Sequence, residues 1–317
     1  MGWLQRMFDS RASDDEAGKR HSPDPRAKLE SELRRKDQFV SREWVERWKR
    51  AAQALAELGD AQSLPTILEA SLYSFNNRDL TDSNRNSMVE SILTIDPRLD
   101  YAIPLLSQVL AEKDDGQKVG NAADVLGRLG ERSDGVVRTR VFQLLSSELP
   151  GAQLMYGVRR QIVCALGRFG DIGLPALREE LDQPGWGHDI EMVRLSAAQA
   201  LCQVKTADNF STLVRLVSFS NDLITPLGGT RPSNASLART AAESACFVLQ
   251  SSAEPLRDED LARATRVKDQ TETTVTGIRK DSSTDETVEV DTTVVTTVNL
   301  SRLRKLAQAE ADRRSRS

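Results

Sequence analysis

Residues 161–177 read QIVCALGRFGDIGLPAL, and residues 51–68 read AAQALAELGDAQSLPTIL. Both pass from an alanine- and leucine-bearing helical stripe, through glycine and a short polar stretch, to a Leu-Pro pair that suits the start of a second helix. The frame returns around Ile92, Leu126, Leu201 and Cys246. With Leu55 and Leu166 the anchors stand at 55, 92, 126, 166, 201 and 246, in steps of 37, 34, 40, 35 and 45 residues. A self-similar period of about 35–45 residues holding two helical patterns is the signature of a helical solenoid.

The first helix of each unit is built for close approach. Ala52, Leu55 and Leu58 fall at helical spacing, with Ala51 and Ala54 beside them. Small alanine lets helices come near, and leucine fills the seam. Gly59, Gly130 and Gly170 follow the last apolar residue of their helices, where a left-handed cap costs glycine little. Pro65, Pro104 and Pro175 stand near the start of the second helix, where a missing N–H is harmless. Seven residues before the anchor, four units carry arginine: Arg85, Arg159, Arg194 and Arg239. A charge repeated in register ties one repeat to the next more readily than it binds a ligand, and arginine's planar fork suits that task.

The pattern Arg-x-x-x-Ala-x-Ala-Leu, followed by an apolar residue and Gly, resembles HEAT repeats, in the short bacterial flavour also found in phycobilisome lyases. The resemblance spans about residues 42–266. It implies an all-α fold, an α-α superhelical solenoid of about six HEAT-like repeats. It also implies that each arginine pairs with an aspartate in the turn before it, here Asp114 or Asp115, and Asp189. The domain plan expected is a flexible segment with a short amphipathic hook over 1–25, the solenoid over 26–266, a Thr/Val-rich β-hairpin or linker over 267–299, and a basic helix or tail over 300–317.

Charge and composition narrow the function. Net charge is −4, but residues 1–50 balance at +3 and 300–317 at +4, leaving −11 between. An acidic body disfavours a nucleic-acid cradle, because phosphates demand a basic face. No apolar run approaches the roughly 18–20 residues of a membrane helix. With no signal-peptide pattern at the start, the expected compartment is the cytoplasm. Cys164, Cys202 and Cys246 read as small core hydrophobes, not as a disulfide framework or metal site. Only His21 and His188 offer imidazole chemistry. No catalytic residue, metal site or cofactor is expected.

The two ends and the inter-repeat connections supply the candidate contacts. Trp3, Leu4, Met7 and Phe8 share a helical face, able to dock weakly on a membrane surface or a partner. Ser41 suits the N-cap of a helix whose stripe is Trp44, Val45, Trp48, Ala52 and Leu55, the cover of the first unit. After residue 267, Val288, Val290, Val294 and Val298 recur at period two around KDSSTD, as a hairpin or a disordered threonine-rich segment. Loops over roughly 73–84, 112–118, 148–157, 182–191 and 218–235 join one unit to the next and should share an edge. They carry Tyr73 and Phe75, Tyr156, Trp186 beside His188, and Phe219, aromatics that either anchor a partner or seal helix ends. The leading expectation is a non-enzymatic scaffold for a protein partner. The alternative, drawn from the resemblance alone, is a bilin-lyase-like chromophore-attachment subunit.

Overall fold

The computed structural model describes residues 24–35, 41–59, 61–75, 77–112, 115–150, 156–183, 188–219, 234–276, 279–280, 287–288 and 292–316. The apolar hook, Trp186 and most of the inter-repeat connections lie outside these residues. The chain divides into two compact units, 1–151 and 152–317.

The first unit opens with α1 (Pro25–Arg34), then stacks three helical pairs: α2 (Arg42–Glu57) with α3 (Leu64–Ser71), α4 (Arg78–Ile95) with α5 (Ala102–Ala111), and α6 (Gly116–Arg132) with α7 (Gly135–Glu148). The second unit holds three more: α8 (Tyr156–Leu166) with α9 (Leu174–Leu181), α10 (His188–Gln203) with α11 (Phe210–Phe219), and α12 (Asn234–Ser251) with α13 (Asp258–Thr265). All six anchors fall on the first helix of a pair and are buried. The fold is an all-α solenoid in which, within each unit, first helices pack on first helices and second on second.

Local chemistry sets the boundaries. The Ser41 hydroxyl accepts from the N–H of Trp44 at 3.2 Å, opening α2 as expected. Asn77 caps α4 through the N–H of Leu80, and Thr81 Oγ1 accepts from the N–H of Phe75. Residues 78–84, expected as loop, are therefore the first turns of α4, because Asn77 satisfies one of the orphan donors there. Gly59 and Gly170 take positive φ, +65° and +62°. Gly130 does not end its helix; it is buried inside α6, which runs on to Arg132. Gly173 meets a different constraint, since a Cβ there would lie 2.4 Å from the Leu166 carbonyl oxygen.

Three of the four repeat arginines, Arg85, Arg159 and Arg194, are buried or half-buried, while Arg239 is exposed. Arg85 donates to the carbonyl of Ser71 and to Ser74 Oγ at 2.8 Å, and Arg194 donates to the carbonyl of Gln183. Both carbonyls stand at or just past the end of the preceding second helix. A guanidinium there satisfies an orphan acceptor and complements the negative end of the helix dipole. Asp115 is no ladder partner: it caps its own helix through the N–H of Lys118 at 3.0 Å. Asp114 lies outside the described residues. Arg159 differs again, gripping Glu180 of α9 with two 2.8 Å bonds, both side chains buried.

A second charged network bridges α4 and α6. Asp82, Asn86 and Glu90 on α4 are four residues apart, as are Asp124, Arg128 and Arg132 on α6. Arg128 bonds Asp124 at 3.0 Å and Asn86 at 2.8 Å, and also reaches Asp82. Arg85 closes on Asp124 at 2.9 Å, and Arg132 on Glu90 at 2.9 Å. Matched i,i+4 rows place each acceptor opposite a donor.

The end of the second unit is covered by the C-terminal segment. Strands β1 (Gln270–Thr276) and β4 (Thr292–Val298) pair antiparallel, from Gln270↔Val298 to Thr276↔Thr292. Beyond them β2 (Arg279–Lys280) pairs with β3 (Thr287–Val288), Arg279 opposite Val288. The chain is thus a ribbon, as the hairpin reading has it. Helix α14 (Ser301–Ser315) then lies back on α12 and α13, burying Leu300, Leu303 and Ala307. Asp269 accepts from the N–H of Leu300 and from Arg304, each at 2.8 Å. Glu310 pairs with Arg313 and Arg314, and Arg314 also reaches the Leu256 carbonyl.

Three outcomes follow from these contacts. Arg159→Ala strands a buried Glu180 and should cost about 3–5 kcal/mol in denaturant unfolding, whereas Arg239→Ala, at an exposed position, should change stability by about 0.5 kcal/mol or less. Gly173→Ala should lower the melting temperature more than Gly59→Ala: the first drives a methyl into fixed backbone, the second costs about 1–2 kcal/mol for the left-handed conformation. Hydrogen bonds from Arg313 and Arg314 hold the Glu310 carboxyl down at about 2, from 4.5. Bonds from Arg304 and the Leu300 N–H lower Asp269. Both groups therefore stabilise the docked helix above their ordinary values and lose that contribution as pH falls through the folded ones. Hydrogen exchange of residues 301–315, corrected for intrinsic rate, should show protection falling between about pH 4.5 and pH 2.

Candidate partner-binding surfaces

In each repeat the second helix must reverse the chain within a few residues, and the way it does so decides which side chains are left outside. Asp96 is buried, and its carboxylate accepts from three backbone N–H groups, those of Asp100, Tyr101 and Ala102, each at 2.9 Å. This cage folds Pro97–Asp100 tightly, with Leu99 at a φ of +55° and fully buried. Tyr101 is then expelled, 64% exposed. One repeat on, Asp134 caps α7 through the N–H of Val137, and Val136 stands 81% exposed at the first turn. One repeat earlier, Leu58 closes α2 just before the positive-φ Gly59 and is 55% exposed.

Leu58, Tyr101 and Val136 all flank the intra-repeat turn in three consecutive repeats of the first unit, at the end of the first helix, just before the second and in the first turn of the second respectively. Ile172 lies in the intra-repeat turn before α9 in the second unit, 44% exposed. Among the described residues these are four of the five large hydrophobics left exposed; the fifth is Phe247. Such side chains scattered singly need no explanation, but recurrence beside the same turn of successive repeats is a pattern. The edge in the first unit is also braced. Arg140 on α7 reaches the Leu99 carbonyl at 2.9 Å and Asp100 at 3.2 Å, fixing one turn against the next.

The opposite, inter-repeat edge is where sequence placed the anchors. Tyr73 and Phe75 sit there, but they belong to a four-ring cluster with Trp44 and Trp48. Ring centroids lie 4.7 Å apart for the two tryptophans, 5.7 Å for Trp44 and Phe75, and 5.6 Å for Trp48 and Tyr73. Phe75 is buried and Tyr73 half-buried. Phe75 is therefore a sealing residue of the first pair and has no surface to offer, because both indoles need cover from the segment that leaves α3. Asn121 of α6 holds that segment from the next repeat, donating to the Leu72 carbonyl at 2.7 Å. Tyr156 and His188 open α8 and α10, and Phe219 ends α11. Trp186 falls outside the described residues. Of the repeat arginines, Arg85 and Arg159 are buried, Arg194 is half-buried and Arg239 is exposed.

The cysteines divide. Cys202 and Cys246 are buried, and burial pushes the Cys202 thiol up to about 12 and raises that of Cys246. Both are core groups. Cys164 is exposed on α8, against the expectation of a core hydrophobe. Among the described residues no group of three or more His, Cys, Asp or Glu stands close enough to hold a metal ion. No described helix is long and apolar enough to cross a membrane.

The turn edge was missed in the sequence for a definite reason. Leu58 continues the apolar pattern of its helix, and Val136 stands beside the buried Val137, so an apolar pattern read from sequence assigns both to the core. The signal that separates them is positional: each lies within two residues of a capping Gly or Asp.

Comparison with known proteins bears on the repeats. Residues 49–73 and 158–183 match the family model described as the PBS lyase HEAT-like repeat. No curated protein matches the chain. Among solved structures it is similar to the complex of CpcE and CpcF of phycocyanin lyase from Nostoc sp. PCC7120, at 16% identity and a TM-score of 0.33, over 81% of this chain and 86% of that one. The two matched segments fall on the first and fourth helical pairs, and there the chain carries HEAT-like repeats.

Proposed function

We propose that the chain is a non-catalytic cytoplasmic adaptor that holds a protein partner along the intra-repeat turn edge of its first unit. The observation behind this reading is the recurrence of Leu58, Tyr101 and Val136, exposed apolar side chains presented by three successive turns. Rigid turns hold such anchors at little entropic cost on binding. A partner segment laid along the edge would meet one apolar contact per repeat, with Arg98 and Asp100 as a polar rim.

The test places a photo-cross-linking amino acid at position 101, 136 or 186 in the native cell and identifies adducts by mass spectrometry. Positions 101 and 136 should capture the same protein. Tyr101→Ser combined with Val136→Ser should weaken that complex about tenfold or more while leaving the melting temperature within a degree or two. Capture from 186 with none from 101 or 136 would move the working surface to the inter-repeat edge and its aromatics. The bilin-lyase-like alternative draws on the name of the matched repeat model. It requires a shifted visible absorption band when the protein is mixed with a free bilin, and the adaptor reading requires none.

A further inference from the structure

The fifth exposed hydrophobic lies elsewhere. Phe247 stands on α12, 49% exposed, with the ammonium of Lys205 5.1 Å from its ring centroid. Lys205 comes from the turn after α10. The first turn of α14 adds Arg302, whose guanidinium has one long contact, 3.4 Å to Gln250 Oε1. With Gln203 and Glu243 these groups line an open cleft of about 240 Å³. Its floor includes Cys202 and Cys246. The Cys246 thiol is raised by burial, and the charge of Arg302 acts against that rise, so the guanidinium's field reaches into the cleft.

The balance of groups restricts what fits. Two cations and one carboxylate surround a single exposed ring, in a chain that is acidic from residue 51 to 299. A polyphosphate backbone asks for a row of cations and would meet Glu243. An apolar ligand alone would leave both cations without a counter-charge. A short carboxylate-bearing segment with one ring satisfies both demands: the ring lies on Phe247 beside the Lys205 cation, and flanking carboxylates pair with Lys205 and Arg302. We propose that this cleft docks an acidic peptide segment of a protein partner carrying a single aromatic side chain. The cleft is complete only with α14 seated, because Arg302 belongs to that helix. It is separate from the turn edge of the first unit and stands or falls independently of it.

The test is fluorescence anisotropy of the full-length protein with the fluorescein-labelled peptide GSDEFEDSG at low salt. Saturable binding is expected. Lys205→Gln and Arg302→Gln should each weaken it about threefold or more, and Phe247→Ala about tenfold. Glu243→Gln should tighten it, because a like charge is removed, and added salt should weaken it. Replacing the peptide's acids by their amides, or its Phe by Ala, should abolish saturation. All four protein substitutions are at exposed positions, and matching thermal melts would separate lost contacts from lost fold. Absent saturation, indifference to both cation substitutions, or displacement of the peptide by an equal concentration of oligothymidylate would each overturn the proposal.

Discussion

A single helical pair of this chain cannot bury its own apolar stripe; only the next pair can cover it. Everything else depends on that constraint. The six anchors, from Leu55 to Cys246, are all buried, and within each unit the first helices pack on one another and so do the second. The hydrophobic seam is repetitive and local, so it fixes spacing but does not by itself prevent one pair from sliding on the next. Polar groups supply the register. The rows Asp82–Asn86–Glu90 and Asp124–Arg128–Arg132 match only in one alignment, and a slip of one residue would leave buried charge without its partner.

Both termini of such a stack expose a seam, and the chain closes them differently. At the first pair, bulk joins a preceding helix: Trp44 and Trp48 are buried against Tyr73 and Phe75, and α1 packs on α2 and α3 with Leu33 buried. At the last pair, a separate element does it. Helix α14 brings Leu303 and Ala307 to the seam and locks itself with Asp269–Arg304 and the Glu310–Arg313–Arg314 group. The basic tail spends Arg304 and Arg314 on contacts within its own unit.

Much of this was legible because repeats multiply weak signals. One Leu at helical spacing says little; six anchors at a common period decide the fold. The Ser41 cap, the Trp44–Leu55 stripe and Pro65 and Pro175 at helix starts are local features whose chemistry does not depend on the rest of the chain. The partners of the arginines were not legible in the same way. Arg85 and Arg194 bond backbone carbonyls, and a carbonyl carries no sequence signature. Asp115 was equally able to cap a helix or to pair with an arginine, and the orphan N–H of Lys118 was nearer. Gly130 failed as a helix stop because a glycine at the end of an apolar pattern also permits close packing, and here α6 continues for two more residues.

The candidate surfaces expose the deeper limit of periodicity. A stripe rule assigns every in-phase apolar residue to the core, yet the stripe has an end, and the residue at that end is exposed by the turn that follows. Leu58, Tyr101 and Val136 are displaced outward by the same devices that make the repeat compact: a positive-φ glycine, a caged aspartate and a capping aspartate. Sealing works in the reverse direction at Phe75, which looks like a loop aromatic and is drawn inward by two indoles. In a solenoid, then, exposure is set less by hydrophobicity than by distance from the nearest cap. The positions free to evolve toward a partner are those that tight turns place outside a seam already full without them.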